Sequence, residues 1–246
     1  MGADEVYDTT FAADMTVMEE TAEFLRRMEA GGPFPMFTSC CPAWIRYLEH
    51  DVDLVLTTQE VIQMIKEAGI RFGELQGEAP DMPFGLGTGA GVIFGTTGGV
   101  AEAVARRVME SESKNTLQAI AHSGLRGTDG IRAVELPVGE KTIRVGVVHG
   151  LKNARQLIAK MEAGAEHFDL VEVMTGTTGC VGGAGQPRGL TPQKQARAEG
   201  LYEADCGSLI KSSQANPILN ALYQKITTEE AHHLLHVHYP GEDAQA

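Results

Sequence analysis

Cys40 and Cys41 stand side by side in Ser39-Cys40-Cys41-Pro42, after the short apolar run Pro35-Met36-Phe37-Thr38 and before the helical pattern AWIRYLEH. Two thiols at a helix N-terminus followed by proline point to one of two chemistries: nucleophilic or redox work through a lowered thiol pKa, or metal ligation. A third thiol, Cys180, sits in Met174-Thr175-Gly176-Thr177-Thr178-Gly179-Cys180-Val181-Gly182-Gly183-Ala184-Gly185-Gln186-Pro187, surrounded by glycine. Thiolates drawn from distant parts of a chain, with bare backbone around them, suit an iron–sulfur cluster. Thiol redox chemistry and buried structural cysteines are the competing readings of the same residues.

Other candidate sites are weaker. The stretch from Gly85 to Gly99 holds seven glycines in fifteen residues, but its only dinucleotide-like match is the loose Gly85-x-Gly87-x-x-Ala90, and no Gly-Lys-Ser/Thr completes a phosphate loop. Close backbone packing is the plain reading; alternatively, the N–H groups before Val100 would suit an anionic cofactor. Near the end, EEAHHLLHVHY spaces His232 and His236 four apart without the glutamate of a zinc-protease helix, which reads as a solvated helix end.

The elements that must position the thiols alternate between strand and helix. Residues 16–30 read as a helix, with a capping box from Thr16 to Glu19 and an apolar stripe of Val17, Thr21, Phe24, Leu25 and Met28, stopped by Gly31-Gly32-Pro33. Residues 53–57 read as a strand, with Thr58 as cap of the helix that follows. The clearest unit is strand 143–148, helix LKNARQLIAKMEAG and strand 168–174, a βαβ unit in which Leu151, Ala154, Leu157, Ile158 and Met161 should cover the sheet. This alternation specifies an α/β fold with parallel strands flanked by helices. In such sheets ligands bind at the carboxyl ends of the strands, the position of both thiol-bearing loops.

Composition bounds the rest. The chain has 246 residues, 20 Lys and Arg against 33 Asp and Glu, and a net charge of −13, which argues against a nucleic-acid surface. A hydrophobic fraction of 43% supports a folded core, and 29 glycines are an excess that clusters in two loops. Four cysteines, two of them adjacent, fit a reducing cytoplasmic compartment better than a disulfide scaffold. The acidic N-terminus lacks the pattern of a secretory signal, and no apolar run is long enough for a membrane span.

FTSCCPAW at 37–44, DVDLVLTTQEVIQMIKEAGI at 51–70, TGAGVIFGTTGGVAEA at 88–103, VVHGLKNARQLI at 147–158, EVMTGTTGCVGGAGQPRG at 172–189 and LLHVHY at 234–239 resemble, in order, the catalytic domain of iron-only (FeFe) hydrogenases. The resemblance implies two lobes with the cofactor between them: remnants of one lobe and the glycine-rich wall at 1–50 and 51–110, and a second lobe at 141–240. It also implies an H-cluster, a 4Fe–4S cubane joined through a cysteine sulfur to a diiron subsite, which reduces protons to hydrogen or splits hydrogen. By motif position Cys41 and Cys180 would be metal ligands, with Cys180 bridging to the diiron unit. Cys40 would be the proton-relay thiol, Met174 and Phe94 would lie beside the diiron site, and Glu20 and Glu23 would belong to the proton path. Without the family, Glu23 and Arg27 read as an ordinary solvated pair four apart. Ferredoxin would be the electron donor, since no CxxCxxC relay run is present.

The chain departs from the family in its ligands. The family motif MPCxxKxxE, which supplies another cubane cysteine and a lysine, is absent where His50 runs into Asp51, and Gly176 stands where the family usually has a further cysteine. The start of the catalytic domain is expected to be shortened as well. Two of four cubane ligands are therefore missing by resemblance, and Cys206 lies where the family has no ligand. A non-catalytic iron–sulfur sensor or subunit, and a thiol redox protein using Cys40 or Cys41, are the alternative functions.

Overall fold

The structure is a computed structural model and describes residues 6–38, 57–109, 113–227 and 230–231. Cys40, Cys41, most of the expected strand 53–57 and the histidines at 232 and 236 lie outside the described residues.

Helix α1 spans Thr10–Ala30 and starts six residues before the expected position. The capping box from Thr16 to Glu19 does not form: the Thr16 hydroxyl donates to the Ala12 carbonyl, and Glu19 accepts from the Tyr223 hydroxyl at 2.6 Å. The apolar stripe extends upstream through the buried Phe11, so burial carries the helix past the local cap signal. Gly31, at φ 81, ends it with its N–H on the Arg27 carbonyl, as a left-handed C-cap should. Strand β1 follows at Met36–Thr38. Helix α2, Thr58–Glu67, is capped by Thr57 rather than Thr58, in a capping box with Glu60.

The glycine-rich stretch forms the short helix α3, Gly89–Val92, and then α4, Gly99–Val108. Helix α5 covers Lys114–Ala121, and strands β2, Ile131–Val138, and β3, Lys141–His149, form a hairpin turned at Gly139, whose φ is 60. Helix α6, Leu151–Glu162, returns the chain to β4, Leu170–Met174. Two further helices close the described chain: α7, Thr191–Gly207, and α8, Pro217–Tyr223.

The strands make one sheet in the order β1-β4-β3-β2. β1, β4 and β3 are parallel, and β2 is antiparallel to β3. The expected α/β architecture is therefore present with a mixed sheet, and the hairpin strand β2 was not read in the sequence. β1 pairs with β4, so the sheet takes strands from both expected lobes. The main core packs Phe24 of α1 and Val104 of α4 against Val134, Val145 and Val147 of the sheet. On the other face, only Ala154, Leu157 and partly Met161 of α6 cover Val148, Phe168 and Val171. Leu151 and Ile158 are exposed, because a helix lying on a sheet buries a narrow stripe and these two sit at its edge.

Candidate metal-cluster site

The loop after β4 presents Cys180. Met174 closes the strand fully buried, and the chain then passes through two left-handed residues, Thr178 at φ 70 and Gly179 at φ 78. A side chain at Gly179 would sit 2.9 Å from the Thr97 nitrogen, so only glycine lets the loop lie this close to the glycine wall. Cys180 then opens a single 3-10 turn, Cys180–Gly182, with its thiol exposed. Arg197 of α7 anchors the turn by donating to the Val181 carbonyl at 2.9 Å and the Pro187 carbonyl at 2.8 Å. The Gln59 N–H donates to the Gly185 carbonyl at 2.9 Å and ties the loop to α2.

Cys180 lines a cleft of about 500 Å³ together with Phe94 and Gly95 of the glycine wall, Thr10 and Ala13 of α1, and Leu201 of α7. The fold thus brings Phe94 to Cys180, while Met174 lies at the root of the loop and not in the cleft wall. Both described cysteines, Cys180 and Cys206, are exposed, which overturns the buried structural reading for Cys180. Cys206 is near the end of α7 and does not line the cleft.

Glu20 and Glu23 have different surroundings. Burial pushes the Glu20 carboxyl up to about 7, and Thr38 and the Arg27 charge offset this only in part. Thr38 is the last residue of β1, two before Cys40, so Glu20 borders the segment that carries the paired thiols. Burial also acts to raise Glu23, but its hydrogen bond and charge pairing with Arg27, aided by Arg26, win and hold it below the usual carboxylate range. Its contacts, 2.7 Å to Arg27 and 2.9 Å to Arg26, are those of a partly solvated ion pair.

The N–H groups before Val100 are not available to an anionic cofactor. The Glu172 carboxylate, fully buried in β4, accepts from Gly98 N–H at 2.6 Å and from Ala101 N–H at 2.8 Å. The protein supplies its own anion at the α4 N-terminus. Burial pushes Glu172 up to about 7 against these bonds and the Arg132 charge. The wall glycines serve close packing: a side chain at Gly91 would come 2.5 Å from the Thr10 carbonyl oxygen, and one at Gly95 would come 2.6 Å from Leu201.

Two buried polar networks escaped the sequence reading. Asp14, fully buried, accepts from the Thr88 hydroxyl at 2.5 Å, the Ser213 hydroxyl at 2.8 Å and the Asn216 amide at 3.3 Å. Arg106 pairs with Glu102 at 2.6 Å and with Asp205 at 2.6 Å, and Arg126 reaches Glu102 at 2.7 Å while stacking on Tyr202. The i,i+4 spacing of Glu102 and Arg106 was a visible signal, but a surface pair has the same spacing. Both networks tie the segment after residue 190 to α1, the glycine wall and α4.

The chemistry of the donors permits only part of a cluster site. An exposed thiol in a roomy cleft fits one thiolate ligand, but among the described residues no group of three Cys, His, Asp or Glu could hold a metal ion. At Gly176 an added Cβ would meet nothing closer than the Gly179 carbonyl at 3.8 Å, so the missing cysteine is not excluded by space.

Fold and site together define an α/β domain that presents a cysteine thiol at the carboxyl edge of a mixed sheet. Comparison with known proteins specifies it further. Residues 1–51 and 49–184 match the family described as iron only hydrogenase large subunit, C-terminal domain, and residues 192–241 match iron hydrogenase small subunit. The chain belongs to the iron-only hydrogenase family. The two large-subunit runs adjoin where His50 meets Asp51, where a family motif was expected and missing. The chain is similar to NADP-reducing hydrogenase subunit HndD of Solidesulfovibrio fructosivorans, 33% identical over 315 aligned positions, covering 97% of this chain and 54% of that protein. It thus spans about half the length of that relative, and 315 positions against 246 residues leave several tens without a counterpart here. A solved structure of [FeFe]-hydrogenase HydA1 from Chlamydomonas reinhardtii superposes with a TM-score of 0.74 at 33% identity, covering 97% of this chain and 85% of that one. A more distant relative, cytosolic iron-sulfur assembly component 3 of Rattus norvegicus, is 24% identical over 97% of this chain and 67% of its own. No helix among the described residues is long and apolar enough to cross a membrane.

Proposed function

We propose that this chain binds an iron–sulfur cluster through Cys41 and Cys180, and that its activity is the reversible reduction of protons to hydrogen with ferredoxin as electron carrier, limited by an incomplete ligand set. The observation that carries this reading is the exposed Cys180 thiol facing a cleft of about 500 Å³ beside Phe94, on a loop whose glycines are required by its close approach to the wall. When bound, the H-cluster supplies the iron at which protons and electrons combine. Cys180 and Cys41 hold it, and Cys40 exchanges a proton at its Sγ. Glu20 passes that proton onward, since a carboxyl near 7 can both give and take one at neutral pH. Glu23, held ionised by Arg27 and Arg26, keeps charge on the partly solvated side of α1. Phe94 limits water at the cleft, and Met174 fixes the root of the ligand loop. The reading includes a reducing cytoplasmic setting.

A second reading, a non-catalytic iron–sulfur subunit, is favoured by one observation: Gly176 leaves a roomy ligand position without a side chain. Iron and sulfide analysis after anaerobic reconstitution separates cluster binding from an apo scaffold. Hydrogen evolution with reduced ferredoxin, together with infrared bands of bound CO and cyanide after maturation, distinguishes enzyme from subunit. A folded protein that takes up no iron sinks both readings and leaves thiol redox chemistry at Cys40 or Cys41.

A further inference from the structure

We infer that His149 is a positioning residue for Cys180, an inference that rests on Cys180 being a cluster ligand. His149 is the last residue of β3 and is buried. Its backbone is clamped on both sides: the N–H donates to the Gly130 carbonyl at 3.0 Å, and the carbonyl accepts from the Asn153 amide at 2.8 Å. The ring Nε2 lies 3.1 Å from the Thr128 carbonyl oxygen, which can only accept, so Nε2 carries the proton. Nδ1 is then a lone pair, and it accepts from the Thr178 backbone N–H at 3.3 Å.

That bond falls where the ligand loop most needs support. Thr178 is the only non-glycine residue among the described ones with a positive φ, at 70. A β-branched residue resists this region, because its Cβ crowds the backbone, so the conformation persists only when its surroundings hold it. The neighbouring tie within the loop, Gly179 N–H to the Gly176 carbonyl at 3.4 Å, is long. His149 therefore holds the strained residue from the rigid end of a central strand, and Cys180 follows two residues later. The bond borders a second cavity of about 510 Å³, lined also by Thr97, Lys194 and Tyr202, so water can replace it once the ring is removed. The ring thus presets the ligand loop before any iron arrives. Glutamine can reproduce the pair, with its amide N–H on Thr128 and its carbonyl oxygen under Thr178; leucine can reproduce neither bond.

Hydrogen–deuterium exchange on the full chain, iron-free and after anaerobic reconstitution, tests this with His149→Leu and His149→Gln. The expected result is exchange of residues 175–182 at least ten-fold faster in His149→Leu, the wild-type rate in His149→Gln, and no change in α7. In reconstituted protein, the electron paramagnetic resonance signal of the reduced cluster should broaden in the leucine variant and match wild type in the glutamine variant. Wild-type exchange of 175–182 in His149→Leu, or equal acceleration in both variants, overturns the inference. Failure of wild type to bind iron would instead remove Cys180 as a ligand while leaving the exchange comparison intact.

Discussion

Arg106 and Asp205 form a bidentate buried ion pair, Nη1 to Oδ1 at 2.8 Å and Nη2 to Oδ2 at 2.6 Å, which joins α4 to α7. The pair crosses from the part of the chain matching the hydrogenase large subunit to the part matching the small subunit. The C-terminal helices are thereby fastened by charge in a dry interior. Removing Asp205 leaves two guanidiniums, Arg106 and Arg126, sharing the single carboxylate of Glu102, so one positive charge in this buried cluster goes uncompensated. Asp205→Ala should therefore destabilise the fold by about 3–5 kcal/mol. Urea unfolding followed by circular dichroism measures this, and a loss below about 1 kcal/mol would show that the pair is dispensable.

Glu172 accepts from the Gly98 N–H through one carboxylate oxygen and from the Ala101 N–H through the other. Glu172→Gln keeps its size but turns an amide N–H toward one of those donors, leaving a buried donor unsatisfied. The expected loss is about 1–3 kcal/mol, with the fraying concentrated in α4. Amide exchange of residues 98–102 would reveal it; unchanged protection there would contradict the capping role.

Glu20 ties stability to pH. Its carboxyl is raised from an ordinary 4.5 to about 7 in the fold, so the native state binds a proton more tightly than the unfolded chain. Its contribution is full below about 4.5 and is lost as pH rises through about 7, by up to about 3 kcal/mol. Glu20→Gln should flatten the fall in melting temperature between pH 5 and pH 8. An equally steep fall in the variant would place the effect elsewhere, with Glu172 as the other carboxyl raised to about 7.

Gly176→Cys should add a ligand where the backbone leaves room. Because an added Cβ there meets nothing closer than 3.8 Å and needs no left-handed backbone, the variant should fold as wild type and retain more iron after desalting. Unchanged iron retention would argue that the loop does not face the cluster.

Cys180→Ala and Cys40→Ala should separate holding from proton transfer. The first should lower bound iron and abolish diiron attachment. The second should leave iron content unchanged and slow hydrogen turnover. Equal iron loss in the two variants would contradict the roles proposed for them.

Much of the fold could be read directly from the residues. The βαβ unit from β3 to β4 follows from periodicity, because a strand buried on both faces and a helix with one apolar stripe leave local signatures. Gly31 marked the end of α1 for the same local reason. Boundaries were less legible: α1 begins at Thr10 because Phe11 is buried by distant residues, which outweighs the capping box read at Thr16. Strand β2 is recognisable mainly by its partner β3, since Pro137 and charged positions blur its alternation.

For the site, the sequence by itself determined which residues can do chemistry and, through the motifs around Cys180, which family they resemble. The tertiary structure decided their environments. Glu20 and Glu23 lie three residues apart on one helix, yet burial raises one and the arginines lower the other. The N–H groups before Val100 looked open to an anion until Glu172, more than seventy residues away, took that of Gly98 and the Thr96 carbonyl took that of Gly99. Composition and spacing record local propensity and side-chain chemistry, but desolvation and hydrogen bonding depend on what the fold brings alongside. His149 shows the same division: its sequence neighbours indicate only the end of a strand, and its bond to Thr178 exists because β3 and the β4 loop meet at one edge of the sheet.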